Sequence, residues 1–344
     1  MRQPQRDDFR TLVHSPTDLN ADYLAWAEYI QSVEGVDWGV QAVDEKVIPI
    51  RPGEMGIIIG RPGHGKTSVL MYLARTEAQR IQKRGKRDEE CVAYVTWEES
   101  AEDVTRMLLG TPDTPYTATD LAWGKVDLDV IRSQVVKQSA FPPVYVIGHG
   151  IMRAKRGKRA PLMDPAAVLI ALETMETDYG VKPTLMCFDY IQRIPVPRER
   201  QKVEEVTEAA KAINDLAKRI ACPAYVAAQA SREPDSRDDK IPRAQDCQWA
   251  SALEQDADKL FAVMRPIKYE KKILELADGR VFSVTDKMMI LRMLKQRGAP
   301  GDYTWPMYFD PATLKLGLAV DRNTPADPRR SPPSERGREA AVGV

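Results

Sequence analysis

Apolar residues in this chain fall into short unbroken runs separated by longer stretches with helical spacing. Met55-Gly56-Ile57-Ile58-Ile59 is one such run and reads as a strand buried on both faces. Val69, Leu70, Tyr72 and Leu73 then mark the apolar side of a helix reaching about Lys83. The succession repeats with a strand over 92–97, a helix over 101–109 opened by Ser100 and Asp103 as a capping box, a helix near 127–138 and a strand at 144–147. Asp164-Pro165 supplies an N-cap and a first-position proline for a helix that carries Val168, Leu169, Leu172 and Met175 and ends at Gly180. Residues 185–189 read as strand, 201–220 as helix and 224–228 as strand. Strand-like runs at 259–264 and 288–294 flank a charged hairpin region with Asp278-Gly279 as its turn, and 304–309 and 315–320 close the pattern. Alternating strand and helix predicts an α/β fold with a mainly parallel central sheet.

Outside this core, Leu19, Tyr23, Ala27 and Ile30, joined by Leu24 and Trp26, form an amphipathic helix from Asp18. It packs either on its own subunit, the default, or on a neighbour. Residues 1–38 are thus an N-terminal arm, 39–320 the main domain and 321–344, with four prolines and five arginines, a disordered tail. Residues 111–125 and 231–248 read as polar loops. Of the 344 residues 43% are hydrophobic and 29% charged, and the net charge is zero, so any nucleic-acid binding must come from local clusters. One cluster is the basic stretch 153–159 (Arg153, Lys155, Arg156, Lys158, Arg159), either a phosphate-contacting patch or a solvated, mobile insertion. Cys91, Cys187, Cys222 and Cys247 are widely separated, which suggests reduced packing residues. No apolar run approaches 18 residues and the N-terminus lacks an apolar signal core, so the expectation is a cytoplasmic protein with no membrane partner.

The candidate chemistry starts where the first strand ends. Gly60-Arg61-Pro62-Gly63-His64-Gly65-Lys66-Thr67 fits G-x-x-x-x-G-K-[ST], with a strand before it and a helix after. Glycines let backbone N–H groups turn onto phosphates, and the helix N-terminus adds partial positive charge. Lys66 would reach the β- and γ-phosphates, and Thr67 would place its hydroxyl on Mg²⁺. Asp189 ends the strand 185–189, where a carboxylate would hold the Mg²⁺ water shell. Glu98 ends the strand 92–97, suited either to orienting the attacking water or to opening an acidic helix; Glu99 takes the second role. ATP and Mg²⁺ are therefore the expected cofactors. The polar loop 231–248 holds Arg232, Arg237, Lys240 and Arg243.

Together these residues resemble the RecA-type motor domain of DnaB-like replicative helicases, from about Gly39 to Val320. Residues 95–102 (Val-Thr-Trp-Glu-Glu-Ser-Ala-Glu) are similar to the family's second-strand motif, which implies that Glu98 is the catalytic base. Phe188-Asp189-Tyr190-Ile191-Gln192 resembles its Walker B, and Ala227-Ala228-Gln229-Ala230-Ser231-Arg232 the strand whose glutamine senses the γ-phosphate, which falls on Gln229. Leu253-Glu254-Gln255-Asp256-Ala257-Asp258 resembles the acidic segment after the DNA loop, and Lys295-Gln296-Arg297 the lysine and arginine finger that enter a neighbouring subunit's site. The resemblance implies a RecA-like P-loop NTPase, a homo-oligomer of hexameric type, single-stranded DNA as ligand and replication partners. The chain departs from the family at Gln248-Trp249-Ala250-Ser251, where a charged DNA loop is replaced and Trp249 offers either a stacking face or a packing one. It departs again at Gly298-Ala299-Pro300-Gly301, and 1–38 show no counterpart of the primase-engaging domain; the arm helix resembles the family's linker helix instead. The alternative is a RecA-like DNA-binding ATPase that does not unwind. A third possibility is an ATPase with no nucleic-acid role.

Overall fold

The computed structural model describes residues 13–111, 114–136, 142–157, 161–195, 202–237, 239–247, 251–276 and 279–319. In chain order the first half holds α1 (Pro16–Ser32), α2 (Gln41–Asp44), β1 (Met55–Gly60), α3 (Lys66–Lys83), β2 (Glu90–Thr96), α4 (Ala101–Leu109), α5 (Ala118–Ala122), α6 (Leu128–Val136) and β3 (Val144–Ile147). Then come α7 (Ile151–Lys155), α8 (Pro165–Tyr179), β4 (Lys182–Asp189), α9 (Lys202–Ile220), β5 (Ala224–Gln229), α10 (Ser251–Asp256) and β6 (Lys259–Met264). The strands β7 (Ile273–Glu275), β8 (Val281–Ser283), β9 (Met288–Gln296), β10 (Tyr303–Asp310) and β11 (Lys315–Leu318) complete it.

Nine strands form one sheet in the order β11-β10-β9-β6-β1-β5-β4-β2-β3, and β7 and β8 pair apart from it. The six strands from β6 to β3 run parallel, and β9, β10 and β11 extend the sheet antiparallel beyond β6. Helices on both faces explain why β1 is apolar at nearly every position. Met55, Ile57 and Ile59 pack with Val168 and Leu172 of α8 and Val206 and Ile213 of α9. Ile58 points the other way, among Val69, Leu70 and Leu73 of α3. All of these β1 side chains are fully buried, each contributing about 1.5–3 kcal/mol. The four cysteines are buried and unpaired, as packing residues would be.

Local structure departs from expectation in several places. None of the 17 residues of α1 is buried, so its apolar side does not pack at home: Leu19, Tyr23, Leu24 and Trp26 are all more than half exposed. The loop 111–125 contains α5, opened by a Thr117–Asp120 capping box whose Thr117 side chain accepts the Asp120 N–H at 3.1 Å. The basic stretch begins as α7, because the Glu102 carboxylate accepts the Ile151 and Met152 N–H groups at 2.9 Å each. Arg153, Lys155 and Arg156 are exposed there, while Lys158 and Arg159 lie outside the described residues. So do Trp249, Asp278 and the tail 321–344. Among the described residues no helix is long and apolar enough to cross a membrane.

Candidate nucleotide-binding site

Parallel β1, β4 and β5 bring their C-terminal ends to one edge of the sheet, where the strand-to-helix turns gather. The loop between β1 and α3 turns back on itself through Gly63 at φ +75° and Gly65 at φ +93°. Only glycine adopts these angles without strain, and Gly65 serves as the N-cap of α3. Gly60 is constrained by closeness instead: a Cβ there would lie 2.9 Å from the Val263 side chain. The loop frames a cavity of about 310 Å³ lined by Pro62, Gly63, Gly65, Lys66, Thr67, Glu98, Glu99, Asp189 and Gln229. The residues singled out in four separate stretches of sequence thus converge.

Within it the Lys66 ammonium donates to the Arg61 carbonyl at 3.2 Å. Burial draws its pKa down to about 8, opposed by the charges of Asp189 and Glu98. Asp189 is 1% exposed, and burial raises its carboxyl to about 6 against the hydrogen bonds it accepts from Thr67 and Tyr94. The Tyr94 hydroxyl reaches Asp189 Oδ2 at 3.0 Å. Tyr94 lies two residues before the end of β2, beside β4 in the register, and sequence reasoning gave it no role. The Thr67 hydroxyl and the Asp189 carboxylate are the sparse hard-oxygen set that Mg²⁺ takes when substrate phosphates complete its shell. The donors present fit that ion.

Glu98 is exposed to the cavity, whereas Glu99 is half-buried and held up in pKa by burial and by Asp103. Both backbone N–H groups bond to Thr96 Oγ1, at 3.3 Å for Glu98 and 3.0 Å for Glu99, which fixes the turn out of β2. Gln229 is held by its own N–H, which donates to Gln192 Oε1 at 3.2 Å. Tyr190, next to Asp189, also lines the cavity, as do Arg265, Phe309 and Pro311, which were missed because their approach depends on sheet order. The Arg61 guanidinium turns away from the cavity toward Asp235, at 2.9 Å. His64 is buried, its Nδ1 accepting the Arg265 N–H at 3.1 Å.

Lys295 and Arg297 do not join this cavity. β9 runs antiparallel to β6 with Gln296 opposite Lys259, at the first residue of β6, so the Lys-Gln-Arg end of β9 lies at the sheet edge opposite the phosphate loop. Lys295 Nζ donates to the Glu254 carbonyl at 2.5 Å, and Arg297 Nη2 to the Gln255 carbonyl at 3.0 Å. In the polar loop, Arg237 is committed to the fully buried Asp246, with Nη1 2.9 Å from Oδ1, and Lys240 donates to the Asp235 carbonyl at 2.8 Å. Arg232 and Arg243 are exposed, the Arg243 guanidinium 3.8 Å from Asp239.

The model of the DnaB-like helicase C terminal domain matches residues 35–315. The chain is 24% identical over 307 residues to the replicative DNA helicase DnaB of Rickettsia felis, covering 83% of this chain and 57% of that one. It is 26% identical over 250 residues to the DnaB of Leifsonia xyli, covering 70% and 49%. The chain therefore spans less than two thirds of the length of these relatives. Its fold matches a separately solved ATPase domain with a TM-score of 0.69 at 16% identity, over 89% of this chain and all of that one. It also matches a DnaB-like replicative helicase solved in a study of its interactions with primase, with a TM-score of 0.68 at 16% identity over 89% and 67%. The mostly parallel sheet and the phosphate loop agree with these matches, and the chain belongs to the family of DnaB-like helicase C terminal domains.

Proposed function

We propose that this chain is the ATP-driven motor of a ring-forming helicase that moves along single-stranded DNA in replication. The observation that carries the reading is the separation of Arg297 from its own phosphate loop. A strand of β1's length rises about 3.3 Å per residue, so roughly 17 Å of sheet lies between them. The cavity holds groups for phosphate, metal and water, while Arg297 is exposed and out of reach of it, which supports a role toward a second copy of the chain rather than its own site.

In this reading Lys66 and the N–H groups from Gly63 to Thr67 bind the phosphates of ATP. Thr67 and Asp189 would hold Mg²⁺, which when bound supplies positive charge to the phosphate oxygens. Tyr94 keeps the Asp189 carboxylate oriented. Glu98 orients a water and accepts its proton, and Gln229, fixed at its backbone by Gln192, reads the terminal phosphate. Arg297 and Lys295 complete the site of the adjacent protomer, an arginine contribution worth ~10³–10⁵ in rate in GTPases. The exposed apolar side of α1 supports an arm that docks on a neighbouring subunit, consistent with a hexamer. Arg232 and Arg243 are the cations of the polar loop best exposed to a DNA backbone, and replication partners would meet the ring on its other surfaces.

The test is displacement of one strand of a forked duplex with ATP and Mg²⁺, with Lys66→Ala as the inactive control. Unwinding by the parent chain and none by the variant is the expected result. Binding and ATP turnover with no displacement would favour a RecA-like ATPase that grips DNA without separating it.

A further inference from the structure

We infer that Asp235 is a positioning residue that couples the phosphate loop to the polar loop 231–247, so that each senses the other's ligand. The inference rests on the motor reading and names how its two sites communicate. The described residues of the polar loop are closed on themselves by several contacts. Its neck is closed by an antiparallel bridge between Ala230 and Cys247 and by the Ser231 N–H donating to the Asp246 carbonyl at 2.7 Å. The Arg237–Asp246 pair braces its interior. The loop leaves the sheet directly after Gln229, which lines the nucleotide cavity.

Asp235 divides its carboxylate between two ties, and both lead to the phosphate loop. Oδ2 lies 2.9 Å from Arg61 Nη2, and Oδ1 accepts the Tyr269 hydroxyl at 2.8 Å. The Tyr269 ring in turn packs on His64, with centroids 5.4 Å apart. Lys240 closes the group, donating to the Asp235 carbonyl with its ammonium 5.7 Å from the centre of the Tyr269 ring. Arg61 and His64 are the phosphate-loop side chains that do not line the cavity; Arg61 reaches the polar loop at Asp235, and His64 faces Tyr269 and the Arg265 N–H. Arg61 also donates from Nη1 to the Ala230 carbonyl at 3.4 Å, at the neck of the polar loop, so a shift of the phosphate loop bears on both the neck and the Arg61–Asp235 pair. Asp235 is 38% exposed at its side chain, so this tie is free to break and re-form as a core contact would not be. A DNA strand pulling on Arg232 or Arg243 would act on Arg61 through the same carboxylate. Such coupling is reciprocal by thermodynamic necessity.

The experiment uses the full chain, a slowly hydrolysed ATP analogue (ATPγS) with Mg²⁺, and amide hydrogen exchange across 231–247. In the parent chain the analogue should change exchange in the loop, and Asp235→Asn should abolish that response with ATP KM held within about 2-fold. Stimulation of ATP turnover by oligo-dT should fall by about 5-fold or more, the lower end of common allosteric couplings. Asp235→Glu, which keeps the charge, should recover part of both. Should Asp235→Asn fold poorly, Tyr269→Phe removes the second tie and should weaken the response on its own. A loop silent to nucleotide in the parent chain, or an undiminished response in Asp235→Asn and Tyr269→Phe, overturns the inference. Failure of the motor reading looks different: the loop still answers nucleotide, yet oligo-dT neither binds nor stimulates.

Discussion

The Arg297 backbone N–H donates to the Asp258 carbonyl at 2.9 Å, while its guanidinium stands 3.3 Å from the Asp258 carboxylate and is 60% exposed. The other oxygen of that carboxylate accepts the Met55 N–H at 2.9 Å. Asp258 therefore anchors Arg297 to the first residue of β1, the end of the strand farthest from the phosphate loop.

Arg297→Ala should reduce ATP turnover by ~10³-fold or more while nucleotide affinity stays near that of the parent chain. Mixing Arg297→Ala with Lys66→Ala subunits should recover part of the activity, since some interfaces then combine an intact loop with an intact finger. Turnover that does not rise above the two variants alone would rule out action across subunits.

Glu98→Gln keeps the shape of the turn after Thr96 but cannot accept a proton. Turnover should fall by about 10²–10⁴, with ATP bound and retained. Glu99→Gln, whose parent carboxylate is half-buried near Asp103, should change turnover far less. Filter binding of labelled ATP alongside steady-state rates separates the two. Equal losses would move the base role away from Glu98.

Arg237 and Arg232 should behave oppositely. Arg237→Ala strands the fully buried Asp246, which retains the Arg243 N–H at 2.7 Å, and should cost about 3 kcal/mol in denaturant unfolding. Replacing Arg232 and Arg243 together should leave stability unchanged. It should weaken binding to oligo-dT and flatten the log–log salt dependence by about 1.4, the share of two phosphate contacts on a single strand. A steep, unchanged slope would point instead to Arg153, Lys155 and Arg156.

Burial, helped by the nearby Lys66 charge, lowers the His64 pKa from 6.5 to about 4. Between those values the unfolded chain binds a proton that the native one does not, so stability falls as pH drops from about 6.5 to 4 and is unaffected above that window. The loss approaches about 3 kcal/mol at the acid end. His64→Asn keeps an acceptor for the Arg265 N–H and cannot titrate, so its melting temperature should fall less steeply there. Parallel curves for the two proteins would show that His64 does not carry the effect.

Much of the site was legible because its chemistry is written in adjacent residues. The glycines, lysine and threonine of 60–67 lie on one turn, and Asp189, Glu98 and Gln229 each end a run of strand-forming residues. Parallel strands deliver such ends to the same edge, so their convergence follows from the alternating pattern. Tyr94 was not legible, since its contact with Asp189 depends on β2 lying beside β4. Arg265 and Phe309 enter the cavity wall from segments that follow the phosphate loop by about half the chain or more, and sheet order alone brings them there.

The sequence alone determined most local quantities: the long helices and the strands of the central sheet (though not the short helices α5 and α7), where the phosphate turn lies, and which side chains have the right acid, base or donor. Tertiary structure alone decided how charges are spent. Arg61, Arg232, Arg237, Arg243 and Arg297 look alike in a string of letters. In the fold one ties the phosphate loop to Asp235, one is locked on a buried carboxylate, two face solvent, and one projects from the far edge of the sheet. The reason is physical: backbone preference is set by a residue and its near neighbours. A cation's partner, by contrast, is whatever the folded chain carries within a few ångströms of it.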